Sequence, residues 1–366
     1  MSARVLVAMS GGVDSSVAAA LLREQGHEII GVAMRLAPEP ASSAPTVRRG
    51  TCCSYNDFED ARRVAEKLDF PFYVVDLRAE FKARVIDNFV SEYLNGRTPS
   101  PCVMCNREIK FDRLWQRAAA LQADFVATGH YARIKRDEAG GFHLLCALDS
   151  SKDQSYFLFT LGQAEMARTL FPLGGLSKSQ VRILARRLGL VNADKPESQE
   201  ICFVSDRSYP AFVADQVSAD RIRRGTIRDD AGRVLAQHTG IHQFTVGQRR
   251  GLGIASTAPL YVRTIDAQTG DITVGRRGDL VSAGLIASMV CLTHPEVLNR
   301  DRDIPLGVKI RYRHPPLDAT VKILDEGLAQ VRFQNGGPAV TPGQACVFYR
   351  GDEVLGGGII EAAMEV

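Results

Sequence analysis

Residues 10–16, SGGVDSS, combine residue types that could hold a phosphate group. They lie between an apolar run at residues 5–9 and a pattern of helical spacing over residues 17–25. Two consecutive glycines allow a tight turn that brings backbone N–H groups against an anion, and the positive end of the following helix dipole adds to the attraction. We therefore predict an anion-binding loop here, with a glycine-rich turn without a ligand as the alternative.

Asp14 gives this loop a different chemistry from the phosphate loop that serves γ-phosphoryl transfer. That loop places a Lys on the β- and γ-phosphates, whereas no Lys follows Gly12 here. A carboxylate is better suited to hold Mg²⁺ than to contact phosphate. The segment resembles the SGGxDS loop of the ATP pyrophosphatase superfamily, which binds the pyrophosphate end of ATP and transfers AMP to an oxygen of the substrate.

A second candidate site is the segment TPSPCVMCNREIKF at residues 98–111, which contains a C-x-x-C pair. Two prolines hold its approach extended, and helical spacing starts at or just after Cys105. We therefore expect this sulfur near a helix N-terminus with Arg107 close by. Both features favour the thiolate and predict a nucleophile. The pair is also compatible with half of a zinc site, a redox dithiol, two iron–sulfur ligands or structural thiols.

Cys202, in the segment ESQEICFV at residues 197–204, is a third candidate. Its neighbours are β-prone, so it could be a small buried hydrophobe in a strand. The polar run at residues 194–200 instead predicts an exposed loop in which a sulfur atom can be reached and passed on.

The composition limits the class of protein. With 366 residues, of which 45% are hydrophobic and 24% charged, the chain can form two or three globular domains. It shows neither a basic and apolar leader nor an apolar run of about 18 residues, so we expect a cytoplasmic protein without a membrane partner. Eight cysteines then indicate metal, redox or sulfur chemistry rather than a disulfide framework. A net charge of +3 does not by itself indicate a nucleic-acid partner.

The first two hundred residues alternate between strand and helix patterns. This alternation predicts a parallel sheet covered by helices, with ligands at the carboxyl ends of its strands. The interrupted stretch at residues 37–50 is predicted to be a mobile loop near the nucleotide. Short apolar strand patterns occur at residues 5–9, 29–34, 72–75 and 125–128, and helical spacing at residues 61–68, 81–93 and 109–121.

Beyond residue 205 the patterns are mostly β. Residues 260–274 are typical of two strands joined by a turn, and five later segments predict a small β-barrel. We predict an α/β N-terminal domain with a parallel sheet and a PP-loop at residues 1–207, a small central α+β domain at 208–282 and a C-terminal β-barrel at 283–366. The five segments are residues 286–292, 307–312, 319–324, 329–333 and 345–349.

Basic residues suggest where RNA could bind. Lys309, Arg311 and Arg313 alternate with apolar neighbours, so on a strand they would form one phosphate-binding ridge. A basic run is also compatible with a solvated face. The central residues that would extend the ridge are Arg221, Arg223, Arg224, Arg228, Arg249 and Arg250.

Six segments occur in a fixed order: SGGVDSS, TPSPCVMCNREIKF, ATGHYAR, SKDQSYFL, ESQEICFV and TVGQRRGLGI. Together they resemble the tRNA-specific 2-thiouridylases, and the resemblance covers essentially the full length of the chain. Members of that family thiolate the wobble uridine of certain tRNAs. The resemblance implies the adenine-nucleotide α-hydrolase-like fold, ATP with Mg²⁺, and Cys105 as nucleophile with a persulfide on Cys202. It implies nucleotide contacts from Ala8, Met9, Ser10, Gly11, Gly12, Val13, Asp14, Ser15, Met34 and Gly129. It implies tRNA contacts from Ser100, Pro101, Cys102, His130, Lys152, Asp153, Gln154, Arg311, Tyr312 and Gln344.

The implied partners are tRNA and a sulfur donor, either a cysteine desulfurase or a sulfur-relay protein, and we expect the free chain to be a monomer. Cys102 leaves an alternative open, since Cys102, Cys105 and Cys202 could be three ligands of a 4Fe–4S cluster. A PP-loop synthetase acting on a small molecule is a further alternative. Cys52 and Cys53 stay unassigned, and Cys146, Cys291 and Cys346 are predicted to be buried packing residues.

Overall fold

The computed structural model describes residues 2–36, 55–197, 201–204, 208–294, 302–325 and 327–365. The loop predicted at residues 37–50, together with Cys52 and Cys53, lies outside these ranges. The chain divides into two compact units. Unit 1 comprises residues 1–85, 102–205 and 352–354, and unit 2 comprises residues 86–101, 206–351 and 355–366. The predicted boundaries at residues 207 and 282 stay a prediction.

The α-helices are α1 Val13–Glu24, α2 Tyr55–Lys67, α3 Arg78–Phe81, α4 Asp87–Leu94, α5 Pro101–Cys105, α6 Asp112–Ala120, α7 Gln163–Met166, α8 Lys178–Arg187 and α9 Tyr209–Asp215. The strands up to residue 170 are β1 Arg4–Ala8, β2 Glu28–Arg35, β3 Phe72–Asp76, β4 Phe125–Ala127, β5 Ala132–Arg136, β6 Phe142–Cys146 and β7 Thr169–Leu170. The later strands are β8 Gly225–Arg228, β9 Val234–His238, β10 Tyr261–Ile265, β11 Ile272–Gly275, β12 Ser282–Leu292, β13 Ile304–Lys309, β14 Leu317–Asp325, β15 Leu328–Gly337, β16 Ala345–Arg350 and β17 Glu353–Met364.

Unit 1 is built on a five-stranded sheet in the order β3-β2-β1-β4-β7, with parallel pairs throughout. Strand β1 is apolar on both faces because helices cover both. Val5 and Val7 pack with α1, whereas Leu6 packs with Leu114 of α6. The predicted parallel sheet is confirmed.

The register of this sheet places the candidate nucleotide residues at one edge. Ala8 of β1 pairs with Val32 of β2, and Val7 pairs with Ala127 of β4. The residues that follow these positions therefore leave the same carboxyl edge. The 9–12 loop, Met34 and Gly129 are among them.

The helix around the C-x-x-C pair begins earlier than predicted. It starts at Pro101 as α5, continues as a π-helical segment, Asn106–Phe111, and runs on as α6. Proline fits the first position of a helix, because its fixed φ suits the helix and its missing N–H would have no intrahelical acceptor there. The expectation that the helix starts at Cys105 was wrong, since Cys105 lies in the second turn and Cys102 near the positive end.

Unit 2 contains a four-stranded sheet, β10-β11-β8-β9, and an antiparallel barrel. The barrel strands follow the order β12-β15-β14-β13-β16-β17, and pairing of β12 with β17 closes it. Alternate residues fill its interior, among them Val308, Val331 and Phe348, each at most 1% exposed. The predicted barrel is confirmed. Its last strand was missed because three consecutive glycines, Gly356–Gly358, weaken the β pattern.

The predicted basic ridge does not form. Strand β13 ends at Lys309, and residues 310–314 form a bend and a turn, so alternation no longer aligns these side chains. Arg311 instead donates from Nη2 to the carbonyl of Ala339 and to Oγ1 of Thr341, at 3.0 and 3.1 Å.

Candidate active site

The 9–12 loop has the shape of an anion site. Gly11 has φ +72°, and a Cβ atom built on it would lie 2.1 Å from the carbonyl oxygen of Asp57, so glycine is required here. Helix α1 has no side-chain cap. Within the described residues, the N–H groups of its first turn at residues 13–15 have no backbone acceptor outside the helix. Such N–H groups are the donors that bind phosphate at helix N-termini.

Gly129 and Met34 lie at the same edge of the sheet. A Cβ atom on Gly129 would lie 2.7 Å from the backbone nitrogen of Ser15, so only glycine allows the backbone at residue 129 to approach the first turn of α1 this closely. Met34 lines a cavity of about 320 Å³. Its apolar walls include Val32, Val75 and Leu114, and charged residues border it. Apolar walls with a few polar groups are typical of sites that bind heteroaromatic rings.

Asp14 is held by two side chains that the motif did not reveal. Tyr131 donates its hydroxyl to Oδ1 of Asp14 at 2.7 Å, and Nζ of Lys178 lies 2.7 Å from both carboxylate oxygens. Lys178 also lies 3.0 Å from Glu197, which accepts a hydrogen bond from Lys152 at 2.7 Å. Burial and then the Asp14 carboxylate raise the pKa of Tyr131. Burial alone would raise the pKa of Glu197, but hydrogen bonds from Lys152 and Lys178 lower it.

The carbonyl of Gly11 is the centre of a second network. The side-chain amide of Asn192 donates to it at 3.0 Å and to Oγ of Ser16 at 2.8 Å. Nζ of Lys195 lies 3.2 Å from the same carbonyl and 2.6 Å from both the Asp57 and Asp60 carboxylates. These contacts hold the 9–12 loop in place and connect it to residues 192–195, which precede Cys202 in the chain.

We expect the substitution Lys195→Met to lower the free energy of unfolding by about 2 kcal/mol, because two partly buried carboxylates lose their ammonium partner. Urea unfolding of the full chain measures this. The double variant Lys195→Met, Asp57→Asn should regain part of the loss. Arg186→Met, which breaks an exposed pair with Asp194, should change stability by less than about 0.5 kcal/mol. Equal effects of Lys195→Met and Arg186→Met would contradict the prediction.

The three candidate cysteines all belong to unit 1. Cys105 is 7% exposed, whereas Cys102 is exposed one helical turn earlier. The neighbouring Asn106 donates to the carbonyl of Phe157 at 3.0 Å, which anchors the π-helical segment. Such segments occur often at functional sites.

Cys202 lies in a turn that Phe203 anchors. The backbone N–H of Val204 donates to the carbonyl of Ile201 at 3.0 Å, so the segment is a turn rather than the strand that was the alternative to a loop. The ring of Phe203 is buried against Phe81, with centroids 5.6 Å apart. Cys202 itself is half-buried. The apolar neighbours hold the turn and leave the sulfur partly accessible.

The geometry does not favour the iron–sulfur alternative. Within the described residues, no set of three His, Cys, Asp or Glu donors whose ligand atoms lie within 4.8 Å of one another contains Cys102, Cys105 or Cys202. Of the other cysteines, Cys346 is buried as predicted, and burial raises the pKa of its thiol. Cys146 and Cys291 are only half-buried, so full burial was a wrong expectation for both.

The surroundings of His130 favour the neutral form of its imidazole. Burial and then the charge of Lys110 lower the pKa of His130 to about 3. Its Nδ1 lies 2.8 Å from Oγ1 of Thr128, and the rings of Phe111 and Phe171 flank it. A neutral imidazole can orient a polar group but cannot supply a proton as an imidazolium ion.

The residues expected to contact tRNA divide between the units. In unit 1, Asp153 is buried and accepts hydrogen bonds from Ala147 and Ser155, so its carboxylate is structural. Gln154 accepts a hydrogen bond from the N–H of Tyr131 at 2.9 Å. The positions of Lys152 and His130 are given above.

In unit 2, Gln344 donates to the carbonyls of Thr98 and Pro99 at 3.0 and 2.9 Å. Ser100 is buried and accepts from the N–H of Ala345 at 3.1 Å. These bonds fix the approach to Pro101, and Tyr312 lies in the turn after β13.

Three family models match the chain. Residues 3–206 match the tRNA methyl transferase HUP domain, residues 211–276 the tRNA methyl transferase PRC-barrel domain and residues 288–360 the aminomethyltransferase β-barrel domain. The chain is 53% identical over 362 residues to the tRNA-specific 2-thiouridylase MnmA of Geobacter metallireducens, covering 99% of this chain and 97% of that protein. This chain belongs to the tRNA-specific 2-thiouridylase family.

A second relative gives the same result. The tRNA-specific 2-thiouridylase MnmA of Geotalea uraniireducens is 52% identical, covering 99% of this chain and 96% of that protein. A solved 4-thiouridine synthetase–RNA complex with bound ATP is similar at 18% identity with a TM-score of 0.37, over 59% of this chain and 50% of that one.

These matches confirm the predicted family and fold class. Membership in the thiouridylase family implies use of ATP. Among the described residues, no helix is both long and apolar enough to span a membrane.

Proposed function

We propose that this chain transfers sulfur to C2 of the wobble uridine in tRNA, with cleavage of ATP to AMP and pyrophosphate. The observation that carries the proposal is that unit 1 contains both the 9–12 loop, which leads into a helix without a side-chain cap, and the two cysteines Cys105 and Cys202. The family models are described by methyl transfer, whereas the relatives are named thiouridylases. Two candidate sulfur-handling cysteines in the same unit as an ATP pyrophosphatase loop favour sulfur transfer.

Activation of the base would occur at the 9–12 loop. The first-turn N–H groups of α1 hold phosphate oxygens, and the cavity at Met34 takes the adenine ring. Asp14 offers one carboxylate beside these donors, which suits Mg²⁺, an ion that binds through one or two carboxylates and substrate phosphates. Bound there, Mg²⁺ would neutralise phosphate charge. The uracil O2 attacks the α-phosphorus, pyrophosphate leaves, and the poor leaving oxygen becomes part of AMP.

Sulfur delivery would use both cysteines. The thiolate of Cys105 attacks the inner sulfur of a persulfide on Cys202, which forms a disulfide and releases hydrosulfide. Hydrosulfide adds to C2 of the adenylated base, and AMP leaves with the former O2. An external dithiol must then reduce the disulfide, and a cysteine desulfurase or a sulfur-relay protein must reload Cys202. The residues that the resemblance implies as tRNA contacts, apart from the buried carboxylate of Asp153, would hold the anticodon loop, with the target base out of its stack.

Nucleoside mass spectrometry tests this proposal. The full chain is incubated anaerobically with unthiolated tRNA, ATP, Mg²⁺, a dithiol and a cysteine desulfurase with cysteine. We expect 2-thiouridine together with AMP and pyrophosphate, all dependent on both ATP and tRNA. Thiocytidine or a methylated uridine as the only product would overturn the substrate assignment. ATP cleavage that requires a small metabolite instead of tRNA would favour a PP-loop synthetase.

A further inference from the structure

Lys178 places a positive charge at the loop that lacks a lysine of its own. Its Nζ lies 2.7 Å from both carboxylate oxygens of Asp14, the second residue of α1. The side chain is 11% exposed, so solvent screens this charge only weakly. The sequence showed no Lys after Gly12, and the fold supplies one from 164 residues further along the chain.

The position of Lys178 is fixed by its own helix. It is the first residue of α8, and Ser177 and Gln180 cap the N-terminus of this helix with a reciprocal capping box. The backbone N–H of Lys178 donates to Asp149 at 2.9 Å, and its ammonium lies over the ring of Tyr131. These contacts aim the ammonium at the 9–12 loop.

A cation bound at Asp14 would leave this ammonium able to take another acceptor. If Mg²⁺ were bound by the Asp14 carboxylate, it would weaken the bond between Asp14 and Lys178. Glu197, 3.0 Å from Nζ, still holds Lys178 at the loop. Because the N–H donors of α1 attract phosphate to the same place, the nearest new acceptors are the β- and γ-phosphate oxygens.

We propose that Lys178 is the cation that binds the pyrophosphate part of ATP and stabilises it as a leaving group. When no nucleotide is bound, the Asp14 carboxylate takes the place of the phosphate as the partner of Lys178. The inference rests on the proposed nucleotide site and adds a residue to it. As pyrophosphate leaves, negative charge grows on the bridging oxygen, and an ammonium beside it lowers the barrier. Lys178 thus performs the role of the lysine in a γ-phosphoryl-transfer loop from a different part of the chain.

Calorimetry of inorganic pyrophosphate and AMP, each titrated with Mg²⁺ into the full chain, tests this role. We expect Lys178→Gln to weaken pyrophosphate binding about 10- to 100-fold, the loss typical of one charge-assisted hydrogen bond. AMP binding should change by less than about threefold, because the adenine cavity does not contain Lys178. Lys178→Arg should restore part of the pyrophosphate affinity. The matched control is Lys67→Gln, whose ammonium binds the carbonyl of Gly189, and it should leave both ligands unaffected.

Unchanged pyrophosphate affinity in Lys178→Gln would overturn the inference. So would an equal loss of AMP and pyrophosphate binding, since this indicates a disturbed loop rather than a missing contact. Thermal unfolding of each variant separates a folding defect from a binding defect. If the wild-type chain binds pyrophosphate through Lys178 but makes no 2-thiouridine, only the proposed tRNA activity fails. If it thiolates tRNA but Lys178→Gln binds pyrophosphate normally, only the role of Lys178 fails.

Discussion

Replacing either Cys105 or Cys202 by Ser should abolish formation of 2-thiouridine, whereas ATP binding should stay within about threefold of the wild type. Serine cannot carry a persulfide and is a poor nucleophile toward sulfur near neutral pH. Both substitutions leave the residues of the 9–12 loop and of the cavity at Met34 unchanged, so the nucleotide site should be preserved. Single-turnover assays with nucleoside mass spectrometry measure the loss of product.

The two variants should fail at different steps. With Cys105→Ser, a persulfide should accumulate on Cys202 and be detected by intact-protein mass spectrometry as the mass of one added sulfur atom. With Cys202→Ser, no persulfide should form there. Full activity of either variant would contradict the proposed chemistry.

Cys102→Ser is the matched control, because Cys102 lies in the same helix and is exposed. The persulfide scheme does not need it, so product should still form, with at most a weaker affinity for tRNA. A cluster with three cysteine ligands would lose a ligand, and activity would then disappear together with that of the other two variants. Retained activity in Cys102→Ser alone therefore separates the two mechanisms.

The sequence predicted what depends on local pattern. Val5 to Val7 form a buried strand, the glycines of the loop follow it, and the parallel sheet brings Gly129 beside Ser15, because strand periodicity and parallel pairing leave few other arrangements. Errors occurred where local rules conflict. The two prolines predict an extended approach to Cys105, but proline is compatible with the first position of a helix, and the helix begins at Pro101.

Long-range partners were not predictable in the same way. Lys178 and Lys195 lie far along the chain from their partners. Only the packed fold shows that Lys178 reaches Asp14 in the first turn of α1 and that Lys195 reaches the carbonyl of Gly11. The prediction of a basic ridge around Arg311 was wrong for a different reason. Alternation aligns side chains only while the strand continues, and β13 ends at Lys309.

The substitution Gly129→Ala should reduce ATP affinity by about 100-fold, the loss expected when a hydrogen bond to a charged phosphate oxygen is broken. The added Cβ would lie 2.7 Å from the nitrogen of Ser15 and 2.9 Å from the carbonyl carbon of Asp14. Both are backbone atoms of the first turn of α1, so no side chain can rotate away to relieve the contact. The N–H donors proposed to hold phosphate must move, and the Asp14 carboxylate must move with them.

Gly175→Ala is the matched control, since it adds the same methyl group in unit 1 with no heavy atom within 4 Å of the new Cβ. Its ATP affinity, measured by calorimetry alongside that of Gly129→Ala, should equal that of the wild type. Thermal unfolding should show a loss of about 1–3 kcal/mol for Gly129→Ala, the usual effect of overpacking. If Gly129→Ala binds ATP as the wild type does, phosphate does not bind at the N-terminus of α1, and the activation step proposed for this loop must take place elsewhere in the chain.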